Sequence, residues 1–340
     1  LTIKNVFIGN NAGGGTWTGA ACHLNVGIGH DAMTGAMNGI HSAVAIGYQA
    51  LTAATHVNVA GTVAIGREAG KGIVDANLTT AIGQYALMSL VDAHRNTAIG
   101  SQSGQNTTGA DNTYVGQKAG FGASGAEASN VGVGSNALLA ITTGTRNVAV
   151  GATAGDALLA GNYNTFIGNN AGSAITNATH NVMIGDYAGA SAGDVDKVVF
   201  IGQSAAADGA ITDAADGTVA IGWSALAALT SGIGNVAIGY QSLDANQTSD
   251  YNTAVGHQAL SALTQDGITG VTAIGYQAML THTTGGSNIA IGYGAMGDTD
   301  NHADTLASTD NVFIGRASGG GIWETNDCNY NVGIGNYTLD

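Results

Sequence analysis

Asn5-Val6-Phe7-Ile8-Gly9-Asn10-Asn11-Ala12-Gly13 is the first of nineteen copies of one nine-residue phrase, Asn-Val/Thr-x-Ile/Val-Gly-x-x-Ala-Leu/Gly. The last copy is Asn331-Val332-Gly333-Ile334-Gly335-Asn336-Tyr337-Thr338-Leu339. The glycine at position five of the phrase recurs at steps of mostly 17 residues, with others of 16 to 20 and one of 23. One apolar phrase in each period of this size is typical of stacked repeats. The sequence therefore predicts an all-β fold, a rod-like parallel β-solenoid of about 19 coils.

Positions two and four of the phrase are β-branched or apolar in every copy, as in Val6 and Ile8. Residues two apart lie on the same face of a strand, and β-branched side chains suit a buried, pleated surface. We therefore expect these two positions to point into the coil. The glycine that follows permits a tight bend.

Asparagine opens thirteen of the nineteen copies. Asparagine tolerates left-handed turns and hydrogen-bonds turn backbone. Identical side chains stacked in register also form amide ladders. The pattern therefore predicts a structural ladder of asparagines along the solenoid.

Position three is expected to point away from the coil's own core, yet it is small or apolar along the whole chain. A continuous apolar face needs a partner, and the simplest partner is the same face of an identical chain about a rotational axis. The sequence thus predicts a homo-oligomer. The interface residues it assigns are Phe7, Ala45, Ala64, Ala98, Tyr114, Phe166, Ala237, Ala254 and Phe313.

The composition excludes several classes of partner. The net charge is −15 with only 8 Lys and Arg, so the chain lacks the basic surface that nucleic acids or acidic lipids require. No apolar run approaches the 18 residues of a membrane-spanning helix. No linker or change of composition divides the chain, so we expect residues 1–340 to form one continuous solenoid segment.

A longer repeat overlies the short one. Residues 5–33 match residues 311–339 at an offset of 306, including a triple glycine, a tryptophan and a cysteine outside the basic phrase. We interpret residues 5–310 as one super-repeat of 18 coils and residues 311–340 as the start of the next. The chain is then expected to be a segment of a longer polypeptide.

The two cysteines, Cys22 and Cys328, occupy matching places in this longer repeat. They are about 17 coils apart, too far for a disulfide within one chain, which needs Cα atoms within about 7 Å. The favoured interpretation is two reduced thiols, each packed beside a tryptophan. A cross-link between neighbouring chains is the alternative, and a metal site at Cys22 and His23 is less favoured because Asn329 follows Cys328.

Few residues point to site chemistry. Asp298, Asp300 and Asp304 lie in the longest spacer and form a weak Ca²⁺ candidate, although the spacer lacks the glycine and terminal glutamate of an EF-hand. Nothing in the sequence indicates a catalytic group or a cofactor. Exposed aromatic rings at position six could bind sugars, but packing on the neighbouring coil is favoured. These are Tyr48, Trp223, Tyr240, Tyr276 and Tyr293.

The copies at Asn235–Leu243 and Asn252–Leu260 resemble the head repeats of trimeric autotransporter adhesins (the YadA-like head) and repetitive bacteriophage tail-fibre proteins. The resemblance covers the whole chain and implies a left-handed parallel β-roll of three chains. The repeats here are longer than the adhesin repeats, and alanine largely replaces the serine after the glycine. These departures, with the Ala-Leu ending, favour the phage fibres.

The expected function is accordingly mechanical. The resemblance implies the shaft of a phage tail fibre or similar virion appendage, non-enzymatic, with a host receptor or glycan as a further partner. A bacterial surface adhesin or extracellular matrix filament is the first alternative, and a glycan- or ice-binding solenoid the second. Ice binding needs a regular threonine array, whereas the outward threonines are expected in spacers of varying length.

Overall fold

The computed structural model describes residues 4–17, 22–36, 38–56, 59–122, 125–298, 308–321 and 328–339. The chain divides into two compact units, Leu1–Asn169 and Asn170–Asp340. Each unit is a parallel β-solenoid with one three-residue strand in each copy of the phrase. The predicted all-β solenoid and its 19 strands are therefore confirmed within the described residues. Handedness and the number of chains remain predictions.

The described part of the first unit contains ten strands, and each pairs in parallel with the next along the chain. The strands are β1 (Val6–Ile8), β2 (Val26–Ile28), β3 (Val44–Ile46), β4 (Val63–Ile65), β5 (Thr80–Ile82), β6 (Thr97–Ile99), β7 (Thr113–Val115), β8 (Val131–Val133), β9 (Val148–Val150) and β10 (Thr165–Ile167).

The described part of the second unit contains nine strands in the same arrangement and one 3₁₀ turn at Asp213–Ala215. The strands are β11 (Val182–Ile184), β12 (Val199–Ile201), β13 (Val219–Ile221), β14 (Val236–Ile238), β15 (Thr253–Val255), β16 (Thr272–Ile274), β17 (Ile289–Ile291), β18 (Val312–Ile314) and β19 (Val332–Ile334).

The register aligns identical positions of the phrase. In the pair β3–β4, Val44 lies beside Val63 and Ile46 beside Ile65. The glycine of position five shows why the register is strict. A Cβ on Gly83, whose φ is +134°, would lie 2.3 Å from the carbonyl oxygen of Gly100. Only glycine accommodates both this backbone conformation and this close stacking.

The predicted asparagine ladder is present and buried. The backbone N–H of Asn147 donates to Oδ1 of Asn130 at 2.9 Å, and the N–H of Asn164 donates to Oδ1 of Asn147 at 3.0 Å. The side-chain amide of Asn147 also donates to the carbonyl oxygen of Gly161 at 2.8 Å. The ladder therefore satisfies polar backbone groups that would otherwise be buried without partners.

The predicted orientation of the strands was wrong. Position three points into the core of its own chain, and positions two and four point outward. Position three shares its face of the strand with the buried asparagine of position one, because residues two apart point the same way. Its described residues are buried from β2 to β19, whereas Ile99, Val150 and Ile238 on the opposite face are each more than a third exposed.

Large residues fit at position three because position nine is then small. A Cβ on Gly120 would lie 2.4 Å from the ring of Tyr114, and a Cβ on Gly189 would lie 2.4 Å from Sδ of Met183. In most coils where position three is small, as in Gly132, position nine is large, as in the buried Leu138. The exceptions are Ala64 with Gly70, Ala98 with Gly104 and Ala149 with Gly155. Most coils therefore keep a similar core volume with a different division between the two positions. At Gly104 and Gly155, side chains of neighbouring coils, Tyr114 and Phe166, come close instead.

Candidate functional site

The most extensive candidate site is the outer face of each sheet, which we call the apolar face. It consists of positions two and four of every strand. Position four is Ile or Val in all nineteen strands, and position two is Val, Ile or Thr. No strand contains a charged residue, although the chain carries a net charge of −15. The acidic surface of the protein is thus interrupted by an uncharged apolar face.

The apolar face is a large continuous surface within the first unit. The ten strands of the first unit contribute two outward columns of ten side chains. At roughly 100 Å² of apolar surface per aliphatic side chain, of which about one-third is an upper value for most of them, these columns present at most about 600 Å². Monomeric proteins rarely expose contiguous apolar patches above about 300–600 Å². The second unit has a face of the same kind.

The interface residues predicted from the sequence do not form this surface. Eight of them are fully buried inside their own chain, namely Ala45, Ala64, Ala98, Tyr114, Phe166, Ala237, Ala254 and Phe313. Phe7 is half-buried and packs edge-on against Trp17, with ring centroids 5.9 Å apart. A second chain cannot contact buried side chains, so their assignment to an interface was wrong. The strand side chains that do face outward are the Val, Ile and Thr residues of positions two and four.

A second exposed feature is a ladder of rings at position six. In the second unit, Trp223, Tyr240, His257, Tyr276 and Tyr293 stack in order, with neighbouring centroids 4.8–5.2 Å apart and planes within 19° of parallel. In the first unit, Tyr48 stacks on His30 at 5.5 Å. The favoured interpretation, packing on the neighbouring coil, is confirmed. Because each ring in the middle of the ladder has both faces covered, a sugar can reach only its edge.

The interior of the first unit holds a buried carboxyl group that was not among the residues selected from the sequence. Glu127 is 1% exposed, and its Oε2 has no hydrogen-bond partner among the described residues. Burial raises its pKa from an ordinary value of 4.5 to about 7. Burial, and next the carboxylate of Glu127, also raises the pKa of Tyr114 well above its usual value. This group links the stability of the unit to pH.

The remaining predicted sites have less structural support. Asp298 is exposed, whereas Asp300 and Asp304 lie outside the described residues. Among the residues that the structure describes, no three His, Cys, Asp or Glu side chains are grouped closely enough to hold a metal ion. The Ca²⁺ candidate therefore stays a prediction.

The cysteines share one backbone contact in the two units. Cys22 is buried and Cys328 is half-buried. Asn5 donates from its side chain to the carbonyl oxygen of Cys22 at 3.0 Å, and Asn311 donates likewise to that of Cys328 at 2.7 Å. The matching contacts agree with the 306-residue echo in the sequence. Cross-linking of the two thiols between chains stays a prediction, and Trp323 lies outside the described residues.

No known family model matches the chain, and a search of curated proteins finds no relative. The described residues include no helix that is long and apolar enough to span a membrane.

Proposed function

We propose that this chain is a structural, non-enzymatic segment of an extracellular fibre, and that its copies associate through the apolar face as a homotrimer. The setting that we propose is the shaft of a phage tail fibre or a similar appendage, with a bacterial surface filament as the alternative. The apolar face carries the proposal, because it continues through every described strand without a charge in a strongly acidic chain.

Charge explains why this face would be the contact. Identical chains of net charge −15 repel each other wherever their acidic turns meet. Association through the apolar face takes exposed Val and Ile side chains out of water and does not bring charged groups together. Hydrophobic burial is roughly proportional to area, so a contact that extends along many coils accumulates a large stabilisation.

An ice-binding role is less well supported. The sequence had placed the outward threonines in the spacers only. In the structure, threonines at position two also point outward, and Thr80, Thr97 and Thr113 lie on three successive strands. However, Val or Ile occupies this position in thirteen of the nineteen strands. A flat, regular threonine array is therefore absent from the described strands.

The proposal can be tested by placing charges on the apolar face. Ile238 and Ile274 are each 37% exposed, and we expect the variant Ile238→Glu/Ile274→Glu to sediment as a smaller species than the wild type. Leu78→Glu is the matched control, because Leu78 is 64% exposed but lies outside the strands. Unchanged sedimentation of the double variant would contradict association through this face, provided circular dichroism shows that it is folded.

A further inference from the structure

A ladder of glutamine amides at position seven ends beside a cavity. Gln258 Nε2 donates to Gln241 Oε1 at 3.2 Å, and Gln277 Nε2 donates to Gln258 Oε1 at 3.0 Å. The next residue at this position is Gly294, where an added Cβ would meet nothing within 4 Å. The missing rung leaves a cavity of about 240 Å³, which is lined by Gln277, Tyr293, Gly294, Asp298, Arg316 and Tyr337, among others.

Arg316 presents hydrogen-bond donors at this cavity. Its guanidinium carbon lies 5.6 Å from the ring centroid of Tyr293 and 5.5 Å from that of Tyr337. The two rings lie next to the guanidinium group, whose N–H donors point outward in its own plane. Within the described part of the chain these donors form no hydrogen bond or ion pair. They are oriented by cation–π contacts and remain available to a ligand.

Acceptors line the same cavity. In this ladder each Oε1 accepts a hydrogen bond from the amide of the next coil. Gln277 Oε1 lacks this donor, because the next residue at position seven is Gly294. The carboxylate of Asp298 also lines the cavity. With one cationic and one anionic side chain the lining has no net charge, and the chain as a whole is strongly acidic. A neutral ligand with several hydroxyl groups matches this mixture of donors and acceptors.

We propose that this cavity binds a single unit of a neutral saccharide. Arg316 donates hydrogen bonds to hydroxyl oxygens, Gln277 accepts a hydrogen bond from a hydroxyl group, and Leu280 provides an apolar wall. The volume is below the roughly 300–1,000 Å³ of sites for drug-sized ligands, which suits one ring rather than an extended chain. The proposal goes beyond self-association and does not depend on it.

The test uses the methyl glycosides of glucose, galactose, mannose and N-acetylglucosamine as probes, with methyl glucuronide as the charged comparison. Binding to the whole chain is followed by saturation-transfer NMR and titration. We expect at least one neutral glycoside to bind, and Arg316→Gln to weaken it about tenfold or more, since hydrogen bonds to charged groups are the strong ones.

Gly294→Gln fills the cavity by continuing the ladder and is expected to abolish binding. Its fold should persist, because Gln277 adopts φ +52° at the equivalent position, close to the +59° of Gly294. Arg67→Gln is the matched control. Arg67 also lies between two tyrosine rings, Tyr48 and Tyr85, but it pairs with Glu68 at 3.5 Å. We expect this variant to bind like the wild type.

Three results would overturn the proposal. They are no binding of any neutral glycoside, binding of the glucuronide alone, and binding that survives both Arg316→Gln and Gly294→Gln. A wild-type chain that is monomeric but binds a neutral glycoside would overturn the fibre proposal and leave this one standing.

Discussion

The ring of Tyr114 occupies the space that a side chain at Gly120 would fill, since a Cβ on that glycine would lie 2.4 Å from the ring. The two residues are positions three and nine of one phrase. In the neighbouring coil the arrangement is reversed, with Gly132 at position three and Leu138 at position nine. Neighbouring coils here therefore divide the core volume differently between the same two positions.

This exchange predicts a rescue between two substitutions. Tyr114→Ala should lower the free energy of unfolding by about 3–5 kcal/mol, as large-to-small core changes do. Adding Gly120→Leu should restore much of the loss, because Leu138 already adopts φ +52° at the equivalent position, close to the +56° of Gly120. Urea unfolding of both single variants and the double variant measures the coupling. Additive effects of the two changes would show that the positions do not share a volume.

The buried Glu127 predicts a stability that falls as pH rises. The folded chain holds this proton up to about pH 7, whereas the unfolded chain releases it near its ordinary value of 4.5. The folded state therefore binds the extra proton between these two values, and the free energy of unfolding decreases through this window by on the order of 3 kcal/mol. Above pH 7 this contribution stays at its lower value.

Glu127→Gln removes the titration and isolates its effect. Urea unfolding at pH 5 and pH 8 should show a smaller difference between the two conditions in the variant than in the wild type. The other carboxyl groups are common to both proteins and cancel in the comparison. The same pH dependence in both proteins would contradict a neutral Glu127 in the folded chain.

The asparagine ladder predicts a large effect from one rung. Asn147→Ala leaves the buried N–H of Asn164 and the carbonyl oxygen of Gly161 without their side-chain partners, at about 1–3 kcal/mol for each unsatisfied group. Asn147→Thr should cost less, because Thr62 occupies the same position elsewhere and donates to the carbonyl oxygen of Ala76 at 2.8 Å. Thermal unfolding ranks the variants. An alanine variant as stable as the threonine variant would show that the ladder contributes little.

The sequence predicted the strands and their register because every copy of the phrase has the glycine at position five, Ile or Val at position four, and Val, Ile or Thr at position two. It did not predict which face is buried, since a three-residue strand with apolar residues on both faces has no amphipathic signal. The signal that could have decided this was the pairing of positions three and nine. Phe7 with Gly13, Tyr114 with Gly120 and Ala45 with Leu51 compensate in volume, as residues do only when they share a core.

Parts of the candidate sites were beyond sequence reasoning for a different reason. Glu127 lies in a spacer, where carboxylates are normally solvated, and only the folded chain brings it close to Tyr114. The cavity at Gly294 arises because this one coil lacks the glutamine that continues the ladder at position seven. Arg316, which lines the cavity, belongs to the following copy of the phrase. Such sites depend on contacts between coils and on spacer conformations, which the repeat pattern does not specify.

Sedimentation equilibrium of the wild-type chain tests the central claim, that copies of this chain associate through the apolar face, most directly. The chain has a mass of 33.5 kDa, and the account predicts a stable species of three times that mass across a range of protein and salt concentrations. A folded species that keeps the mass of a single chain at all concentrations would contradict the account, because the apolar face would then be stable in water without a partner.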